Sequence, residues 1–220
     1  MRVAIFDFDG TLYSKETFQL MMDHLKNHPV HSKRYRQFYR AIMPPYIGSK
    51  LKIVSVLKMR ERSVQAYLAA LKSFTKQETE SYFTEIADKM HNDFNPKVVE
   101  RLKDHVAKGD YVMLVSGAFT PLLHSVTVKL PIQTIIGTEI PYTNSVLDHQ
   151  AKIDHIQGQL KTQKIQEVLA GKEIDWANSF AYGDSHSDLP VLELVGHPVA
   201  VQPEPRLRTV AEQRNWEIIW

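Results

Sequence analysis

Apolar and polar positions follow two different rhythms along this chain. Short, nearly continuous apolar runs occupy Val3–Phe6, Tyr111–Val115, Ile132–Ile136, Ser179–Tyr182, Pro198–Val201 and Trp216–Ile219. Strands buried on both faces read this way, and parallel sheets are built from them. Most of the intervening stretches space their apolar residues as helices do. Asn95-Pro96 predicts an N-cap with proline at the first helical position, and Gly109 predicts the end of that helix. Thr120-Pro121 repeats the cap-then-proline signature, and Lys161–Ala170, closed by Gly171, predicts a further helix. Strands alternating with helices imply an α/β fold, a doubly wound, Rossmann-like parallel sheet with right-handed crossovers.

One stretch breaks the alternation. Between the first strand and Asn95 the spacing predicts only helices, near Thr17–Lys26, Lys33–Ala41, Lys50–Met59, Ser63–Leu71 and Gln77–His91. Thr75-Lys-Gln-Glu78 is a capping box for the last of them, and Pro44-Pro45 is expected to interrupt the middle. The expected organisation is a core of residues 1–13 and 95–220 with a small helical domain, 14–94, inserted after the first strand. A second, smaller insertion at Glu139–Gly158 suggests a hairpin.

Composition narrows the class. The 220 residues are 43% hydrophobic and 24% charged, with no cysteine, which removes disulfides, thiolate metal sites and cysteine nucleophiles. No apolar stretch is long enough to span a bilayer, and the N-terminal apolar run reads as a strand, so a cytoplasmic protein is expected. The net charge of +2 is unevenly spread: from Lys26 to Arg62 ten Lys or Arg face Glu61 alone, giving that span +9. Such a span either steers anionic substrates toward a cleft or is a solvated face, or a surface for anionic lipid or nucleic acid.

The first strand ends in Asp7-Phe8-Asp9-Gly10-Thr11. In extended chain, residues two apart point to the same side, so Asp7 and Asp9 would project together and repel. A hard cation is the natural compensation, and Gly10 permits a tight turn with close backbone approach. In open α/β sheets ligands bind at the carboxyl ends of strands. The second strand there leads into Ser116-Gly117, and the fourth into Gly183-Asp184-Ser185-His186-Ser187-Asp188, with Lys161 and Lys164 just upstream. A carboxylate nucleophile, further acids, a hydroxyl with backbone amides and an ammonium are the parts of phosphoryl transfer.

Asp-Phe-Asp-Gly-Thr, Val-Ser-Gly, a downstream Lys and Gly-Asp-Ser-x-x-Asp, in that order, resemble the four motifs of the haloacid-dehalogenase-like phosphatases. The helical insert after the first motif resembles the cap of the phosphoserine-phosphatase-like branch, and Tyr182–Leu192 running into Gly196–Val201 strengthens the match. The resemblance implies a Mg²⁺-dependent phosphomonoester hydrolase working on a small phosphate ester through an aspartyl-phosphate, with no nucleic-acid partner. It implies Asp7 as nucleophile, Asp9 as general acid/base, and Ser116, the Gly117 amide and Thr11 as phosphoryl binders. Lys164 would neutralise the intermediate, with Lys161 as rival. Asp7, the Asp9 carbonyl and Asp184 would hold Mg²⁺, and Asp188 would ligate or orient. Glu16 stands where the branch binds a substrate ammonium, with Lys50, Lys52 and Arg60 as candidates for a carboxylate. Phosphoserine or a related amino-phosphate is the expected substrate; another anionic or lipid phosphate, and a phospho-accepting signalling domain, are the alternatives.

Singly, several of these residues have plainer readings. Ser116-Gly117 is equally a turn, Lys164 an exposed helix lysine, and Asp188 or Glu16 a first-turn acid favoured by the helix dipole. His186 reads as solvated or packed, and Met21-Met22 with Tyr35, Phe38 and Tyr39 as core or rim of the insert.

Overall fold

The computed structural model describes residues 1–220, the side chains at 56 and 57 excepted. Six parallel strands form one sheet in the order β3-β2-β1-β6-β7-β8: β1 (Val3–Phe6), β2 (Tyr111–Phe119), β3 (Thr134–Thr138), β6 (Phe180–Gly183), β7 (His197–Val201) and β8 (Glu217–Ile219). The antiparallel pair β4 (Tyr142–Thr143) and β5 (Val146–Leu147) is the small hairpin predicted beyond β3. Its two turn residues, Asn144 and Ser145, both have positive φ, as tight hairpins require. β2 runs past the predicted Val115 to Phe119, with a register shift against β3 that absorbs Ser116 and Gly117.

Alternation along β1 divides the core. Ala4 and Phe6 belong to one buried apolar cluster, and Val3 and Ile5 to the other, one for each face of the sheet. Phe6 stacks on Tyr182 of β6, ring centroids 4.4 Å apart. The cluster around Phe6 continues without a break into the helices between β1 and β2, through Met21, Leu25, Phe38, Tyr67 and Leu68.

Those helices are α1 (Thr17–Asn27), α2 (Ser32–Lys50), α3 (Val56–Ala70) and α4 (Lys76–Ala87). Tyr67, fully buried, ties three of them: its hydroxyl donates to the Met21 carbonyl at 3.0 Å and pairs with Tyr82 at 2.8 Å. The capping box Thr75/Glu78 starts α4 as predicted. Two expectations fail. Pro44 and Pro45 lie inside α2, which runs on to Lys50. The prolines delete the amide donors for the carbonyls of Arg40 and Ala41, both exposed residues, where water can replace them, while Pro45 packs into the interior. The predicted helix Lys50–Met59 is instead a turn through 51–55 followed by the start of α3.

α1 and α4 also pack histidines. His24 and His28 turn their Nε2 atoms toward the Glu85 carboxylate at 3.5 and 3.3 Å. The amides of Val30 and His31 donate to His28 Nδ1, and the Lys89 ammonium faces His24 Nδ1 at 2.7 Å. Both rings therefore carry the proton on Nε2 and point it at Glu85. With Nδ1 of each ring taken up by these donors, a metal at Nε2 would need the opposite tautomer.

The second half is covered by α5 (Pro96–Ala107), α6 (Thr120–Val126), α7 (Gln159–Val168), α8 (Leu189–Leu192) and α9 (Pro205–Gln213). Asn95 caps α5 by accepting from the amides of Lys97 and Val98, and Gly109 and Gly171 adopt φ of +76° and +77° after α5 and α7. Thr120 is the first residue of α6 rather than its cap; its hydroxyl donates to Glu139 at 2.7 Å. Among the described residues no helix is long and apolar enough to cross a membrane.

Candidate active site

From β1 the sheet grows through β2 to β3, and from β6 through β7 to β8. Connections from the two central strands therefore leave in opposite directions, and a crevice opens where their carboxyl ends meet. Asp7 is the first residue beyond β1, its amide bonded to the Tyr182 carbonyl of β6 at 2.9 Å. Asp184 follows directly after β6, and Asp188 sits one turn later. Carboxylate oxygens of Asp7, Asp184 and Asp188 all lie within 4.8 Å of one another.

One ammonium enters this group. Lys161 Nζ donates to Asp7 Oδ1 at 2.6 Å and Asp188 Oδ1 at 2.7 Å, with only 4% of the residue exposed. Asp188 Oδ2 accepts from the amide and hydroxyl of Ser185 at 3.2 and 2.9 Å, which fixes the carboxylate that orients Lys161. Three carboxylates thus share one cation. Burial raises the Asp7 carboxyl to about 7, with the Asp188 charge adding to the rise and Lys161 opposing it. Burial likewise raises Asp184 to about 8, followed by the charges of Asp7 and Asp188. Lys161 is held well above its ordinary range: burial works against its charge, and the charges of Asp188 and Asp7 outweigh it. Asp7, Asp184 and Lys161 all move upward, burial leading for the two acids and the crowded negative charge for the ammonium, which marks a group short of positive charge.

That deficit, an all-oxygen donor set and the room left for it fit a hard divalent cation such as Mg²⁺. Gly10 belongs to the same fit. At φ +72°, a Cβ there would lie 2.3 Å from Asp184 Oδ2, so only glycine lets the turn after β1 close against that carboxylate.

Asp9 lines the same cavity but stands outside the three-carboxylate group. Its oxygens accept from the Thr17 amide at 2.9 Å and the Thr17 hydroxyl at 2.8 Å, at the start of α1. Burial and the neighbouring Asp7 charge raise it to about 7, with Thr17 pulling the other way. Ser116 is buried on the irregular part of β2, its Oγ accepting from the Ala118 amide at 3.1 Å. Beside it, a Cβ on Gly117 would come within 3.0 Å of the His155 ring and 3.2 Å of the Ile156 carbonyl. Ser116, Gly117 and Glu16 all line the cavity, of about 380 Å³.

Two predicted site residues are misplaced. Lys164 does not reach the carboxylates; its ammonium pairs with Glu167 at 2.7 Å, on the surface of α7. α7 crosses back from the carboxyl edge of the sheet, so its first turn, carrying Lys161, lies at the cleft, and Lys164 lies a turn farther along. Thr11 is fully buried and does not line the cavity; its hydroxyl has no hydrogen-bond partner among the described residues. The turn at Gly10, with the Thr11 amide bonded to the Phe8 carbonyl at 3.2 Å, carries that side chain into the protein.

The sequence pattern of the haloacid dehalogenase-like hydrolases matches residues 4–193. The chain belongs to this family. A histidinol-phosphatase from Neisseria meningitidis serogroup C is 25% identical over 232 residues, covering 99% of this chain and 97% of the relative. An "inhibition of morphological differentiation protein" from Streptomyces azureus is 26% identical over 161 residues, 71% of this chain. The chain spans 57% of that relative's length and 37–38% of several mycobacterial ones. Among solved structures, a protein of unknown function from Bordetella pertussis Tohama I superposes with a TM-score of 0.82 at 23% identity, over 100% of this chain and 98% of the other. A phospho-aspartyl intermediate analogue of phosphoserine phosphatase superposes with 0.63 at 16% identity, over 99% and 92%. These superpositions establish a shared fold.

Within this hydrolase fold the cavity holds groups the sequence did not announce. His155, just before α7, packs on Gly117, and its Nδ1 lies 3.3 Å from the Thr138 hydroxyl. Burial and the charges of Arg60 and Lys161 push its pKa down to about 4, so it faces the cavity as a neutral imidazole. From α3, Met59 and Arg60 reach the cavity, whereas Lys50 and Lys52 do not line it. Phe18, Met21, Met22, Val64 and Phe119 make its apolar wall. Met21 is core as predicted and also wall; only the fold brings α1, α3 and the loop before α7 to one place.

Proposed function

We propose that the protein is a Mg²⁺-dependent phosphomonoester hydrolase acting on a small phosphorylated metabolite through an aspartyl-phosphate. Residues 1–13 and 95–220 form its catalytic core and 14–94 the cap over the cleft. The observation that carries this reading is the contact of Asp7 with Lys161 beside Asp184 and Asp188, at the carboxyl ends of β1 and β6. Lys161 occupies Asp7 Oδ1, which leaves Oδ2 to attack phosphorus. The bond from phosphorus to the ester oxygen breaks, and Asp9 gives its proton to the departing alkoxide. Asp9 then takes a proton from water as the water oxygen attacks the acyl phosphate, releasing phosphate and restoring Asp7. Lys161, Ser116 and the Gly117 amide offset charge on the transferring oxygens. Asp7, Asp184 and the Asp9 carbonyl would hold Mg²⁺, with Asp188 as ligand or orienting partner; the ion supplies positive charge to the phosphoryl oxygens.

Glu16 and Arg60, both in the cavity, suit an ammonium and a carboxylate, and so support an amino-acid phosphate such as phosphoserine. A second reading, an amino-alcohol phosphate carrying a ring, is supported by the apolar wall and by the full-length similarity to a histidinol-phosphatase. Phosphate release from phosphoserine, histidinol phosphate and an aryl phosphate, scored as kcat/KM, tests both. Hydrolysis of none of them in the presence of Mg²⁺ would remove the proposal.

A further inference from the structure

Exposed apolar side chains are concentrated on one part of the molecule. Of the eleven large hydrophobic residues exposed among the described residues, five fall between positions 39 and 53: Tyr39, Tyr46, Ile47, Leu51 and Ile53. α2 buries the row through Phe38 and Pro45. Helical geometry then turns Arg36, Arg40, Ile47 and Lys50 to the opposite side. Beyond α2, Leu51 is 65% and Ile53 78% exposed. The turn that carries them is tied down, with the amides of Ile53 and Val54 both bonded to the Gly48 carbonyl at 2.8 and 3.0 Å. Lys52 between them adopts φ +58°.

Cations flank this apolar tip along the chain, on α2, in the turn and on the start of α3. Arg36, Arg40, Lys50, Lys52, Lys58 and Arg62 are exposed, and none makes an ion pair among the described residues. Glu61 is the one acid in the whole span 26–62.

We infer that α2 and the turn after it are a docking surface for an anionic lipid bilayer. Lysine and arginine meet the anionic headgroups, and Leu51 and Ile53 enter the boundary between headgroups and acyl chains. Charge complementarity argues against a second copy of this chain, whose equally positive face would repel it. Nucleic acid would satisfy the cations but leave the aliphatic tip in water. Just beyond that turn along the chain, Met59 and Arg60 of α3 line the cavity.

Co-sedimentation of the full chain with phosphatidylcholine vesicles, with and without phosphatidylglycerol, tests the proposal. The protein is expected to bind the anionic vesicles, to release with salt, and to ignore pure phosphatidylcholine. The double variant Leu51→Ser/Ile53→Ser should weaken vesicle binding about tenfold or more, while hydrolysis of a soluble aryl phosphate stays unchanged. Arg36→Glu/Arg40→Glu should weaken it about fivefold or more for each charge removed. Absence of binding to anionic vesicles overturns the proposal. So does binding that both variants leave intact, binding to duplex DNA that competes with vesicles and survives Leu51→Ser/Ile53→Ser, or self-association in solution that this variant abolishes. Vesicle binding and phosphate release are separate readouts, so failure here leaves the hydrolase assignment to its own test.

Discussion

At the carboxyl edge of the sheet, three carboxylates share one buried ammonium. Along α2, the following turn and the first half of α3, six cations stand exposed with no carboxylate partner among the described residues. The first region accepts burial of charge and is left short of positive charge, a deficit that the proposed metal ion would offset. The second leaves its charge in water, where it acts at a distance and where salt screens it. At a third place, against α4, His24 shows the same desolvation acting on a base. Burial keeps the buried carboxyls of Asp7, Asp9 and Asp184 protonated to higher pH and keeps His24 neutral to lower pH.

The largest expected effects separate residues inside the carboxylate group from those just outside it. Asp7→Asn should lower kcat by about 10⁴-fold or more, since an amide does not attack phosphorus. Lys161→Met should cost about 10²–10³-fold, whereas Lys164→Met should stay near wild type in the same assay. Equal losses for the two lysines would erase the distinction that the fold draws between them. Glu16→Gln should raise KM for an amino-bearing phosphate by removing a charge-assisted contact worth about 1.5–3 kcal/mol and leave an aryl phosphate unaffected. Equal change on both substrates would return Glu16 to a helix-start role.

Stability against pH should have opposite signs in the two buried groups. For Asp9 and Asp184, raised from 3.8 to about 7 and about 8, the folded state favours the neutral form. Metal-free protein should therefore lose stability as pH rises from about 4 through 8, read as a falling Tm. Added Mg²⁺ should recover more of that loss at pH 8 than at pH 5. For His24, lowered from 6.5 to about 4 by burial and then by Lys89, the contribution is complete above 6.5 and is lost as pH falls toward 4. His24→Gln should flatten the acid limb of the Tm profile while leaving the alkaline limb unchanged. The smallest effect concerns the exposed cations: kcat/KM on a dianionic substrate should fall a few-fold from low to high ionic strength, and a flat profile would deny the +9 span any role in steering.

The sheet and its edge were legible because burial writes itself into composition. Val3–Phe6 has no polar interruption, so two acids at its end stand out, and Gly183-Asp184 after β6 repeats the signal. What failed depends on direction in three dimensions. Lys161 and Lys164 are three residues apart on one helix, and only the return path of α7 across the sheet decides between them. Thr11 reads as part of a polar motif, yet the turn at Gly10 carries it inward. Pro44-Pro45 reads as a break, but the carbonyls they leave without donors belong to the exposed Arg40 and Ala41. His155 carried no signal at all, because its place is set by its contact with Gly117.

Attack on phosphorus by the Asp7 carboxylate is open to chemical capture. Acid quenching of the Asp9→Asn variant during turnover, borohydride reduction and peptide mapping test it directly. An acyl phosphate on Asp7, recovered as homoserine at that position, is expected. Reduction at another carboxylate, or sustained phosphate release with Asp7 unmodified and with Asp7→Asn fully active, would contradict it.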